Sequence, residues 1–195
     1  MDFDVNVFEG WLREHFGATP PIGYCLRTDH RQRWLRIHSL PDAKRYAENE
    51  LERSEVRRRA WVAAAEVLPT GAVCWLVVTG PPHENAPREL RLPSAPAMLF
   101  ERVKPYDHPL LKDALEEERV VAYATQTTWP PADFDRLIGA IANDELRVVW
   151  FSPASAEVFA PYDGGIDLIL ESRTRMEALR RSFPAGWFSA REDGL

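Results

Sequence analysis

The residue types best able to do chemistry fall in two short stretches. The first is Arg36-Ile-His38-Ser39 followed by Lys44-Arg45-Tyr46. A guanidinium, an imidazole and two further cations so close together suit an anion, because charge-assisted hydrogen bonds to phosphate or carboxylate are the strong ones. Ser39 and Asp42 read as a weak capping box that starts a helix over about 41–68. Lys44 and Arg45 would then sit in its opening turns, where the helix dipole disfavours cations and an anion would compensate them. The plainer alternative is snorkelling side chains paired with the chain's own acids.

The second stretch is Tyr162-Asp163-Gly164-Gly165-Ile166-Asp167. Two carboxylates four apart across a tight turn could bind a metal or act as an acid/base pair. Asp-Gly between apolar runs is also the signature of a hairpin, which accounts for Asp163, Gly164 and Gly165 as turn residues, the glycines being expected at positive φ. Of the other candidates, His15, His30, His38, His83 and His108 contain no i,i+3 or i,i+4 pair, and Cys25 and Cys74 form no C-x-x-C, so neither a metal nor a cofactor is expected. Phosphate-loop, dinucleotide-binding, serine-hydrolase and zinc-protease fingerprints are absent.

Composition narrows the function classes. The chain has 195 residues, 45% hydrophobic and 28% charged, with a net charge of -6. That is ordinary globular composition and predicts one domain. Residues 107–171 hold 13 acids against 4 Lys/Arg, including Asp107, Asp113, Glu116, Glu117 and Glu118 ahead of a strand. Such a block argues against general nucleic-acid binding and suits a basic protein partner. Two isolated cysteines, an acidic N-terminus and apolar runs far shorter than the ~20 residues that span a bilayer point to a cytoplasmic protein with no membrane contact.

The elements that must position these residues follow from periodicity. Val5, Phe8, Trp11, Leu12 and Phe16 share a helical face that Gly17 ends. Strands are expected at 32–38, 72–79, 119–127, 146–151, 157–162 and 166–170, with a short one at 97–102. The long helix would carry an apolar stripe of Ala47, Leu51, Trp61, Ala65 and Leu68, and further helices are expected over about 131–143 and 172–183. Residues 80–118 form a proline-rich irregular segment. Strands interspersed with helices and at least one hairpin imply an α/β or α+β domain, with a mixed, mostly antiparallel sheet and helices packed against it.

Arg36-Ile-His-Ser-Leu-Pro-Asp-Ala-Lys-Arg-Tyr-Ala47 and Ala160-Pro-Tyr-Asp-Gly-Gly-Ile-Asp-Leu-Ile-Leu170 resemble an uncharacterised bacterial domain-of-unknown-function family of small cytoplasmic proteins. The resemblance implies a bacterial source and assigns no catalytic residue. The leading expectation is a binding protein, in its most concrete form an immunity-type antitoxin whose acids at 107–118 meet a basic partner. The rival is a small hydrolase or transferase acting on an anionic molecule through Arg36, His38, Lys44 and Arg45 facing Asp163 or Asp167. A third reading is a homo-oligomer joined through Trp34 or Trp129. A concave pocket holding Arg36, His38 and Asp163 together would favour the rival, and a flat acidic face without a pocket the binder.

Overall fold

Alternating and continuous apolar runs become the strands of one sheet: β1 (Trp34–His38), β2 (Val73–Gly80), β3 (Glu101–Arg102), β4 (Val121–Thr128), β5 (Arg147–Ser152), β6 (Glu157–Tyr162) and β7 (Gly165–Ile169). The computed structural model describes residues 3–80, 101–102, 108–112 and 121–188. Within them the strand order is β1-β7-β6-β5-β2-β4-β3, and every pairing is antiparallel. With its helices the chain is therefore an α+β fold. Most of 80–118, including Asp107, Asp113, Glu116, Glu117 and Glu118, lies outside the described residues.

Helices cover both faces. On one side α1 (Val5–Phe16) and α2 (Gly23–Asp29) lay Phe8, Leu12, Phe16 and Leu26 against Trp75, Val77, Phe151 and Val158. Asp4 caps α1 by accepting the Asn6 backbone N–H at 2.8 Å, and Gly17 ends it at φ 65°, a conformation that costs glycine no Cβ clash. On the other side α3 (Glu50–Val67), α5 (Phe134–Ala142) and α6 (Arg173–Ser182) pack on Leu35, Ile37, Leu76, Trp150, Phe159 and Leu168. A short turn of helix, α4 (Pro109–Lys112), follows His108. Trp187 is buried against this second core. No helix among the described residues is long and apolar enough to cross a membrane.

Two expectations need correction. The long helix begins at Glu50, not at 41: Pro41–Ala43 form a single 3-10 turn, and Asp42 and Ala43 take φ of 56° and 54°, which no helix continues. Asn49 is the cap, accepting the Glu52 N–H at 3.0 Å. Lys44 and Arg45 are thus loop residues, and the dipole argument does not apply to them. The buried face of α3 is Val56, Arg59, Ala60, Ala63, Ala64 and Val67, while Leu51 and Trp61 are exposed. Alanines let the helix approach the sheet closely, and Trp61 reaches sideways to Phe134 and donates to Asp135 at 2.6 Å.

The hairpin turn forms where it was expected, but neither Gly164 nor Gly165 has positive φ. Gly165 is required for close approach instead. A Cβ there would lie 2.6 Å from the Ile37 carbonyl oxygen and 2.7 Å from the Tyr162 hydroxyl, whereas at Gly164 the nearest atom is 3.4 Å away. Gly165→Ala is expected to cost about 1–3 kcal/mol, as overpacking does. Gly164→Ala should cost less than half as much. Urea unfolding of the two variants measures this, and equal losses would contradict it.

Candidate functional site

The seven strands do not form a continuous ladder. Pairing between β5 and β6 runs from Ser152 opposite Glu157 to Trp150 opposite Phe159 and stops there. β5 continues beside β2 to Arg147 opposite Thr79, and β6 continues beside β7 to Tyr162 opposite Gly165. The sheet therefore splits between Arg147-Val148-Val149 and Ala160-Pro161-Tyr162. Pro161 has no N–H to offer a ladder. The split opens into a cavity of about 290 Å³, with those six residues, Ile22, Tyr24 and Arg27 in its lining. Arg45, Asp144, Asp163 and Asp167 complete the polar part of the wall.

Asp167 is 3% exposed and lies at the back of this site. It accepts hydrogen bonds from Trp34 Nε1 at 2.8 Å and from Arg36 Nε at 3.0 Å. Arg36 is itself buried, lying 5.0 Å from the Trp34 ring and 5.1 Å from the Tyr162 ring. A cation between two aromatic faces beside a carboxylate is satisfied on every side. Burial, with Asp167 second, pushes the Tyr162 phenol up to about 12, so it is a hydroxyl donor at neutral pH. Asp163 at the hairpin turn accepts Arg45 Nε at 2.6 Å and the Tyr46 hydroxyl at 3.0 Å, which fastens the loop before α3 to the turn.

The residues singled out in the sequence are thus partly brought together. Arg36 meets Asp167 and Arg45 meets Asp163, but as two closed ion pairs. Lys44 is not in the site: it pairs with Glu48 at 3.0 Å and Glu52 at 2.8 Å at the start of α3. His38 is buried at the end of β1 with Nε2 lacking a partner among the described residues, and it does not line the cavity. Trp129 is 2% exposed within a cluster with Phe134, Trp150 and Phe159, and Trp34 is bonded to Asp167, so both serve the fold internally.

Three donors of the cavity wall, Tyr24, Arg27 and Arg147, were not singled out from the sequence, and Tyr162 was singled out only as part of the hairpin stretch. Arg27 faces Asp167 at 3.6 Å and Arg147 faces Asp144 at 3.6 Å, too long for a hydrogen bond. Their guanidinium groups, and the Tyr24 and Tyr162 hydroxyls, donate no hydrogen bond to any other described residue. Isolated arginines at a strand start or on a short helix carry no sequence signal. Pro161 inside an otherwise apolar strand was the one available hint of the split.

Also unanticipated is a hydrogen-bonded chain on the other side of α2. Cys25 Sγ lies 3.6 Å from His108 Nδ1, and His108 Nε2 lies 3.1 Å from Asp29 Oδ2, which also accepts the Thr19 hydroxyl at 2.7 Å. The Leu110 N–H points at Nδ1 from 3.2 Å, so Nδ1 is the acceptor and Nε2–H donates to Asp29. This is the connectivity of a nucleophile, base and orienting acid. The thiol, however, is fully buried, and burial pushes it up to about 12. The chain serves to pin His108 and α4 to α2.

Two outcomes follow from these environments. Burial, then Arg36 and Arg59, hold His38 below its usual pKa, and burial with Arg33 does the same at His30. The unfolded chain therefore takes up these protons first, and stability is complete above about pH 6.5 and declines as pH falls below it. Melts across pH 5–8 should show this decline, shallower in His38→Gln; an unchanged slope in that variant would exclude His38 as a source. Iodoacetamide at pH 8 should modify neither Cys25 nor Cys74 in the folded protein and both in denaturant. Rapid native labelling of Cys25 would instead make it a reactive nucleophile.

Comparison with curated proteins finds no match, and comparison with solved structures finds none. A family profile described as a domain of unknown function, DUF3885, matches residues 22–192. That span takes in every described residue of the split sheet, the cavity wall and the Cys25–His108–Asp29 chain, and on it the chain belongs to the DUF3885 family.

Proposed function

We propose that this domain binds a small anionic molecule, of the carboxylate or phosphate class, in the cavity between β5 and β6. One observation carries the reading: four donor side chains, Tyr24, Arg27, Arg147 and Tyr162, line a single cavity and donate no hydrogen bond to a described residue, the two arginines standing 3.6 Å from Asp167 and Asp144. Guanidinium groups held beyond hydrogen-bond range of their carboxylates on the partly exposed wall of a cavity can take an anion through charge-assisted hydrogen bonds. The volume of about 290 Å³ lies near the lower end of the roughly 300–1,000 Å³ usual for ligand pockets, which favours a small ligand. Asp163 and Asp167 are each held by an arginine, so a binding role is better supported than acid/base catalysis by either.

The reading of the chain as an immunity-type partner of a basic protein rests on a different feature, the acids of 107–118, and on the net charge of -6. It needs no cavity and would be seen as salt-sensitive association with a basic protein. In either reading the sequence features favour a bacterial cytoplasmic setting.

The cavity reading is tested by thermal melts with phosphate, pyrophosphate, succinate and citrate against a chloride control of equal ionic strength. At least one should raise Tm in a saturable way. Arg147→Gln, a change at an exposed side chain, should weaken that ligand about tenfold or more while shifting the ligand-free stability by less than about 0.5 kcal/mol. No anion-specific shift in the wild type would overturn the proposal.

A further inference from the structure

The cavity wall is not uniformly basic. Asp144 lies beside Arg147 at 3.6 Å and accepts no side-chain hydrogen bond from any described residue. It is half-exposed, stands just past the end of α5 and takes a φ of 58°, a left-handed conformation that sets its direction independently of the helix. Arg45 and Tyr46 both feel its charge. A carboxylate that accepts no side-chain hydrogen bond from a described residue therefore stands in the same wall as Arg27 and Arg147, 3.6 Å from the latter. Asp163 and Asp167 differ from it, each being saturated by hydrogen bonds from an arginine and an aromatic side chain.

The split in the sheet adds a second feature. From Val149 and Ala160 onward, the backbone groups of β5 and β6 that face one another make no ladder. Backbone amides and carbonyls flanking a cavity call for a ligand with donors as well as acceptors. A simple anion offers acceptors only. A molecule carrying both an anionic and an ammonium group offers both, and its two charges match the arginine-plus-aspartate wall.

We infer that the ligand is a zwitterion of the α-amino acid class, its carboxylate taken by Arg27 and Arg147 and its ammonium group by Asp144. The inference rests on the cavity being a ligand site and narrows what that site takes. Discrimination comes from Asp144: an acid lacking the ammonium group would leave this carboxylate facing a like charge with nothing between them.

The experiment compares matched pairs that differ only in the amino group: L-alanine with propionate, L-glutamate with glutarate, and L-phenylalanine with 3-phenylpropionate. Titration calorimetry and melts of the whole chain are read side by side. The expected result is that at least one amino acid binds tenfold or more tighter than its deaminated partner. That advantage should disappear in Asp144→Asn, with the partner binding as well as before or better. Arg147→Gln should weaken both members of the pair. If the two members bind the wild type equally and both weaken in Arg147→Gln, the zwitterion inference is overturned while the anion site stands. If no member of any pair, and none of the simple anions above, binds, the cavity reading itself fails.

Discussion

A carboxylate 3% exposed in the middle of a sheet is tolerable only if its charge is met, and at Asp167 three side chains from two elements meet it. Arg36 and Trp34 from β1 donate to it directly, and Arg27 from α2 stands within ion-pair range. This arrangement fixes the edge strand β1 in register, because Arg36 lies opposite Asp167 in the ladder. It also seats α2 against the end of β7. Removing one member of a buried pair leaves an uncompensated charge, typically costing about 3–5 kcal/mol. The aromatic rings of Trp34 and Tyr162 on either side of Arg36 make the charge group part of the packing.

The same end of the molecule is where the sheet opens. Inner strands of an antiparallel sheet ordinarily exchange every backbone hydrogen bond, and a split between two of them needs a cause. Pro161 supplies one, since it lacks a donor, and the Tyr162 ring over Gly165 keeps β6 committed to β7. With β5 held by β2 and β6 held by β7, the gap between them is bounded on both sides by intact ladders. A cavity built this way has rigid walls, which suits a site whose charged groups must keep fixed positions while unliganded.

α2 joins two separate polar systems. Tyr24 and Arg27 face the cavity, while Cys25 and Asp29 face His108. Seven residues thus hold one end of the cavity and the anchor of α4. Displacing α2 would disturb both, so the conformation of the segment carrying His108 and the geometry of the cavity are mechanically linked through one short helix. The loop between β1 and α3 is bound to the same region from the opposite direction, through Arg45 and Tyr46 on Asp163.

Much of this was written in the chain itself. Periodicity placed α1, the strands and the β6–β7 hairpin to within a few residues, because each buries one face against the core and its apolar spacing records that face. The stretches around Arg36 and Asp163 were identifiable as charged groups beside regular elements. The start of α3 was misplaced because left-handed φ at Asp42 and Ala43 is set by how that loop packs, which no local propensity encodes. The buried face of α3 was misphased because its close-packing alanines are less hydrophobic than the exposed Leu51 and Trp61. Which acid met which arginine, and that Arg27, Arg147 and Asp144 share a cavity with Tyr162, depended on strand register. Arg27, Asp144 and Tyr162 are far apart in sequence and become neighbours only once β1, β7, β6 and β5 pair in that order. Sequence therefore determined which faces are apolar and where charges are carried; the antiparallel pairing, and the one place where it fails, decided which charges stand together and which are left open.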